Sequence, residues 1–136
     1  MPNIFYGASG SAIANLAIQT FTDTSVNVPL ASYATMFDED ITTDDEALIV
    51  MFIGHYQSLN GSDMNYMIRL TIDGNVEPIW RKKQSNSGGT RLEQPIAFGM
   101  LAKSTGTKNV KVELQSQSGT GTMVEGKLWV GRVKCV

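Results

Sequence analysis

Few side chains in this sequence are of types that carry out chemistry, and their placement narrows what is open to it. There is one histidine, His55, and one cysteine, Cys135. A lone cysteine excludes an intrachain disulfide and a cysteine-based zinc site, and reads as a reduced, inert thiol. His55 follows the apolar run at residues 47–54 and precedes Tyr56. A general base needs an orienting partner, so His55 reads as a structural residue. No Gly-x-Ser-x-Gly elbow, His-Glu-x-x-His zinc motif or Walker A loop occurs. Ser87-Gly88-Gly89 lacks a following helix whose amides could cradle a phosphate. A paired-carboxylate glycosidase is decided by separation in space, which a sequence does not carry. The expectation is a non-enzyme with no catalytic residue, no metal and no cofactor.

Two charged constellations stand out. Residues 1–46 hold seven acids and no Lys or Arg, whereas residues 47–136 hold eleven basic residues against six acids, a net of +5. Six of the early acids, Asp38, Glu39, Asp40, Asp44, Asp45 and Glu46, fall within nine residues. Their mutual repulsion favours a solvated surface loop. Oxygen ligands at this density also suit Ca²⁺, although the glycine and distant bidentate Glu of an EF-hand loop are missing; electrostatic docking is the third use open to the segment. The basic run Arg81-Lys82-Lys83 follows Trp80. It could touch nucleic acid, a partner protein or only solvent; the net charge of −2 for the whole chain argues against a surface that tracks phosphates. A polarised chain of this kind is a charged wedge if the fold separates the two blocks, and loses that polarity if the fold pairs them.

The aromatic residues Tyr33, Phe37, Tyr56, Tyr66, Trp80, Phe98 and Trp129 are spread along the chain. Most should fill a core or a subunit interface, with Tyr56, Tyr66 and Phe98 the candidates for packing about a symmetry axis. Trp80 and Trp129 are alternatives for stacking on a sugar. Ile4, Phe5 and Tyr6 precede Gly7-Ala8-Ser9-Gly10, which suggests a short apolar arm that docks onto a partner.

The elements that must hold these residues are strands. Met64, Tyr66, Ile68, Leu70 and Ile72 alternate along one face, and Asp73-Gly74 supplies a tight turn. Val110, Val112 and Leu114 alternate with Lys111 and Glu113. Residues 47–53 are apolar on both faces, as expected of a central strand covered on both sides. No window of a dozen residues carries a period of 3.6. Eight or nine strands are expected, near 11–21, 24–29, 32–37, 46–57, 63–73, 75–84, 92–102, 107–116 and 122–134. Many short strands at even spacing mean an antiparallel sandwich or barrel. The domain should run over 11–136, with residues 1–10 as an arm outside it. No signal peptide or membrane-length apolar segment is evident, and the product reads as soluble and made in a reducing compartment.

Taken in order, four segments carry a resemblance: the strand leading into Thr24-Ser25-Val26-Asn27-Val28-Pro29, the buried strand at 47–57, Arg69-Leu70-Thr71-Ile72-Asp73-Gly74, and Gly106-Thr107-Lys108-Asn109-Val110-Lys111-Val112-Glu113-Leu114, closed by Lys127-Leu128-Trp129-Val130. The chain resembles the tumour-necrosis-factor/C1q-like jelly-roll domains of bacteriophage structural proteins over about residues 15–133. Lys108 stands where that pattern often has His. The resemblance implies a jelly-roll sandwich, a homotrimer, and a virion protein made in the host cytoplasm. It also implies a capsid decoration (cement) role in contact with a major capsid or other virion protein. The alternative it implies is a fibre-tip module that recognises a host glycan or surface protein. Neither nucleic acid nor a membrane is an expected partner.

Overall fold

The structure, a computed structural model, describes residues 5–6, 12–59, 64–77, 80–84, 91–93, 96–118 and 120–135, with side chains described for 16–23, 26–55, 67–77, 96–116 and 125–134. These residues form nine strands: β1 (Phe5–Tyr6), β2 (Ala12–Val28), β3 (Ala34–Leu59), β4 (Met64–Ile72), β5 (Asn75–Val76), β6 (Trp80–Gln84), β7 (Arg91–Glu93), β8 (Ile96–Ser118) and β9 (Thr120–Cys135). They pair in the order β1-β2-β9-β3-β8-β4-β5, with β6 also on β4 and β7 also on β3. Every strand pair is antiparallel.

The architecture comes from one long ribbon. The 26-residue β3 and the 23-residue β8 pair along nearly their whole length. Both bend at the same point, where the register breaks around Glu46 and where Asp45 (φ 58°) and Gly106 (φ 111°) leave ordinary strand geometry. Such irregularities let a strand turn a corner and pass from one layer to the other. Beyond the corner, residues 47–59 of β3 join β9, β2 and the first part of β8. Before it, residues 34–43 of β3 join the last part of β8, which continues to β4. The folded ribbon makes two facing layers, the all-β jelly-roll sandwich expected from the sequence.

The core lies between the layers. Leu48, Val50, Phe52, Leu128 and Val130 of the first layer meet Phe37, Ile41, Ile68, Leu70, Ile72, Val110, Val112 and Leu114 of the second. Phe37 and Phe52 meet edge to face across the gap, centroids 6.1 Å apart. Gly126 leaves room for Met36, since a Cβ there would lie 2.5 Å from Met36 Cε.

The partition of strands differs from expectation. The stretches 11–21 and 24–29, and 32–37 and 46–57, each merge into one strand; 75–84 divides into β5 and β6, and 92–102 divides between β7 and β8, whose larger part merges with 107–116. Polar residues interrupt the apolar alternation but not the backbone ladder, so a bulge suffices where a loop was expected. Phe5 and Tyr6, expected in an arm outside the sandwich, pair with Ala12 and Ile13 as an added edge strand.

Candidate functional site

The two outer faces of the sandwich follow the same alternation and are furnished in opposite ways. On the second layer, outward positions of β3, β8 and β4 carry a charge ladder. Lys111 Nζ lies 3.2 Å from Asp38 Oδ2. The Asn109 side-chain amide donates to Asp38 Oδ1 at 2.7 Å and to Asp40 Oδ1 at 3.1 Å. The amide, and after it Lys111, holds the Asp38 carboxyl below its ordinary range. Arg69 donates from Nε to Glu113 at 2.8 Å, and its guanidinium sits 3.9 Å from the Tyr33 ring centroid. Lys108 reaches Asp73 at 3.1 Å.

The corner is charged as well. Lys134 Nζ donates to the Asp44 carbonyl and carboxylate, both at 3.1 Å. Lys103 pairs with Asp45 at 2.9 Å, and Arg132 lies 3.8 Å from the buried Glu46 carboxylate. The Thr43 hydroxyl donates to the Gly106 carbonyl at 3.1 Å, and the Asp45 amide donates to Thr105 Oγ1 at 3.0 Å. The expected acidic surface loop is thus corrected: Asp38, Glu39, Asp40, Asp44, Asp45 and Glu46 all lie in β3. Four of them, Asp38, Asp44, Asp45 and Glu46, face cations that β8 and β9 bring from elsewhere in the chain. Proximity to those cations removes the repulsion that made a loop the expectation, and the fold pairs the two charge blocks. Among the described residues no group of three or more His, Cys, Asp or Glu could hold a metal ion.

The outer face of the first layer is apolar. Register places its outward residues in rows across four strands. Ile18, Gly131, Ile49 and Met100 form one row, and Thr20, Trp129, Met51 and Phe98 the next. Leu16 and Ile96 extend the patch. Leu16, Ile18, Ile49, Met51, Ile96, Phe98 and Met100 are each 36–61% exposed. At ordinary side-chain areas that is roughly 600 Å² of apolar surface, at the upper limit for a soluble monomer. Leu16, Ile18, Ile49, Met51, Phe98 and Trp129 surround a hollow of about 320 Å³ floored by Gly131. The next rows bring in charge: Lys127 stands with Thr22, Ile53 and Ile96, and beyond it Glu125 lies opposite His55. There Ile53, Gly54, His55, Glu125, Lys127 and Trp129 line a second hollow of about 210 Å³.

Of the residues expected at a symmetry axis, Phe98 stands on this apolar face, 47% exposed. Tyr56 belongs to the first-layer half of β3 and Tyr66 to β4 of the second layer, so the three do not share one face; the side chains of both tyrosines lie outside the described residues. So do those of Phe5, Tyr6, Trp80 and Cys135, while Ile4 lies outside the described backbone too. Arg81, Lys82 and Lys83 fall in β6, opposite Met67, Tyr66 and Asn65, and their side chains are likewise outside. Sequence reasoning missed Leu16, Ile18, Ile49, Met51, Ile96 and Met100 as site residues. The available signal was the doubly apolar stretch 47–53: one side faces the core, and the other is bare.

No family model matches the chain, and no curated protein matches it. Among solved structures, it is similar to a chain from the structure of infectious bursal disease virus, Gx strain, with a TM-score of 0.50 and 13% identity, over 88% of this chain and 33% of that one. The chain thus spans about a third of that viral chain's length, and at this identity the likeness is one of fold.

Proposed function

We propose that the chain is a non-enzymatic virion structural protein, a homotrimeric capsid decoration (cement) protein that bridges and stabilises shell subunits. The observation that carries this reading is the apolar outer face of β2, β9, β3 and β8. Exposed apolar surface of roughly 600 Å² approaches the ~800 Å² per partner of a standard interface. Copies of the chain are the occupant proposed, because the patch is four strands wide and carries no charge in its two central rows. The similarity in fold to a chain of a virus supports a place in a virion. The more specific reading as a phage domain of the tumour-necrosis-factor/C1q-like type is supported by the hairpin at Arg69–Gly74, whose turn residues Asp73 and Gly74 adopt φ of 50° and 80°.

Three linked copies bind a shell multivalently, so weak contacts add into avidity. The strand β1 and the basic run Arg81-Lys82-Lys83 on β6 are the segments proposed to touch the capsid protein. The pairing of Asp38, Asp44, Asp45 and Glu46 within the fold removes most of the argument for docking steered by a charged wedge. A second reading, a fibre-tip module that recognises a host glycan, is favoured by the hollow of mixed lining beside Trp129.

Light scattering of the purified protein at micromolar concentration should give three times the chain mass; a monomer would overturn the trimer. Electron microscopy of the native particle separates the two readings. Density on the shell supports decoration, and density at a tail tip overturns it.

A further inference from the structure

We propose that the hollow lined by Ile53, Gly54, His55, Glu125, Lys127 and Trp129 is a carbohydrate site that holds a single pyranose ring. The inference rests on the register of β3 against β9 and not on the decoration reading; it deepens the glycan reading by naming the site and the ligand class.

Size comes first. At about 210 Å³ the hollow is smaller than the ~300–1,000 Å³ of pockets that take drug-sized ligands. A nucleotide or a folded peptide does not fit, and one sugar ring does. The walls then select among small ligands. Trp129 presents an indole, half-buried on the central strand β9, against which the C–H face of a pyranose packs as other apolar surfaces do. The rest of the lining is mixed in character. Glu125 offers carboxylate acceptors, Lys127 ammonium donors, and His55 an imidazole able to do either. A sugar hydroxyl donates and accepts at once, so a site holding both kinds of partner matches it. A simple anion would meet the Glu125 carboxylate, and a bare cation would meet Lys127 with only one carboxylate to bind it. A hydrocarbon would strip water from the Lys127 and Glu125 charges and offer them nothing in return.

The groups are also held in place. His55 is directly opposite Glu125, Ile53 opposite Lys127, and Met51 opposite Trp129, on two strands with neighbours on both sides. Lys127 Nζ and Glu125 Oε1 lie 3.8 Å apart, close enough to steady each other and long enough for a hydroxyl to bond to both. Trp129 lines this hollow and the larger apolar one, so its indole divides them. Association through the apolar rows therefore leaves the sugar site at the rim of the interface. One ring in a shallow site binds weakly, and repeated copies on a particle supply avidity.

The test is a titration of the full, isotope-labelled chain with methyl glycosides of glucose, galactose, mannose and N-acetylglucosamine, with glycerol as the acyclic control, followed by amide and indole N–H shifts. The expected result is saturable movement, at millimolar ligand, of residues 53–55 and 125–129 with at least one glycoside and not with glycerol. Glu125→Gln and Lys127→Met should each weaken that glycoside about tenfold, the loss of one charge-assisted hydrogen bond, while the remaining spectrum and the oligomeric state stay as in the parent. No saturable movement with any glycoside, equal movement with glycerol, or unchanged affinity in both variants would overturn the proposal. A monomer in light scattering would overturn the trimer and leave this result standing, so the two failures are distinguishable.

Discussion

The two outer faces of this sandwich are built on the same backbone pattern and end in opposite states. On the second layer, described outward charges meet partners: Asp38 pairs with Lys111 and Arg69 with Glu113 across the ladder, and Lys108 with Asp73 at the turn after β4. The described part of that face is satisfied in water. On the first layer the outward positions of β2, β3 and β8 carry Ile18, Ile49, Met51, Phe98 and Met100, with no charge among them. Alternation alone therefore does not determine that an outer face is a solvent face. An antiparallel layer packed on one side normally shows polar residues on the other; apolar residues at those positions mark a face that is finished by something else.

The largest effect should come from breaking the apolar face at its centre. Met51→Lys places an ammonium between Trp129 and Phe98, its neighbours in the row. Burying that charge without a partner costs several kcal/mol, so self-association should weaken by at least about 100-fold, or ~3 kcal/mol. Sedimentation against concentration would measure it, with circular dichroism confirming retained strand content. The matching change on the other face, Lys111→Met, should leave the assembly intact. If both variants assembled alike, the contrast between the faces would carry no meaning for association.

Much of the second layer was legible from local pattern. The alternation from Met64 to Ile72 followed by Asp73-Gly74 became β4, a turn with both residues at positive φ, and β5. Val110, Val112 and Leu114 are buried, while Lys111 and Glu113 turn outward, as the sequence indicated. The β3–β8 ribbon was not legible, because a carboxylate-dense segment looks self-repelling until its partners are known. Those partners, Lys103, Lys111, Arg132 and Lys134, lie some sixty to ninety residues along the chain from the acids they meet. The apolar face was half legible. Residues 47–53 announced cover on both sides, but Leu16 and Ile18 sit among Asn, Gln and Thr and gave no such signal. What a chain needs covered can be read from its composition; which strands share the bare face depends on register.

On the charged face, Arg69→Met should have the next largest effect. Arg69 is one-third exposed, stacks on Tyr33 and forks onto the better-buried Glu113 carboxylate. Losing both contacts and stranding Glu113 should cost about 2 kcal/mol, lowering the melting temperature by roughly 4–8 °C in a domain of this size without altering assembly. Gly106→Ala should cost less. A Cβ there meets nothing within 4 Å, so the whole penalty is backbone strain at φ 111°, about 1 kcal/mol. Because Gly106 is at the corner shared by both layers, chemical denaturation should show one transition shifted as a unit. Separate transitions would mean the two faces belong to independently stable layers.

The smallest effect is the most specific to the charge ladder. The Asp38 carboxyl titrates below its ordinary range, first because the Asn109 amide donates to it and second because Lys111 does. A lowered folded value means that the ionised form is favoured by folding. The associated stability is present above the unfolded carboxylate range and is lost as pH falls through the lowered folded value. Carboxyl-carbon shifts followed against pH should show Asn109→Ala raising the Asp38 midpoint more than Lys111→Met does. High salt should separate the two causes, since it screens the exposed ammonium and leaves the neutral amide's hydrogen bond in place. An Asp38 midpoint that molar salt returns fully to the ordinary range would make Lys111 the dominant partner. The second face would then be held by screened charge alone, and its contrast with the apolar face would shrink with ionic strength.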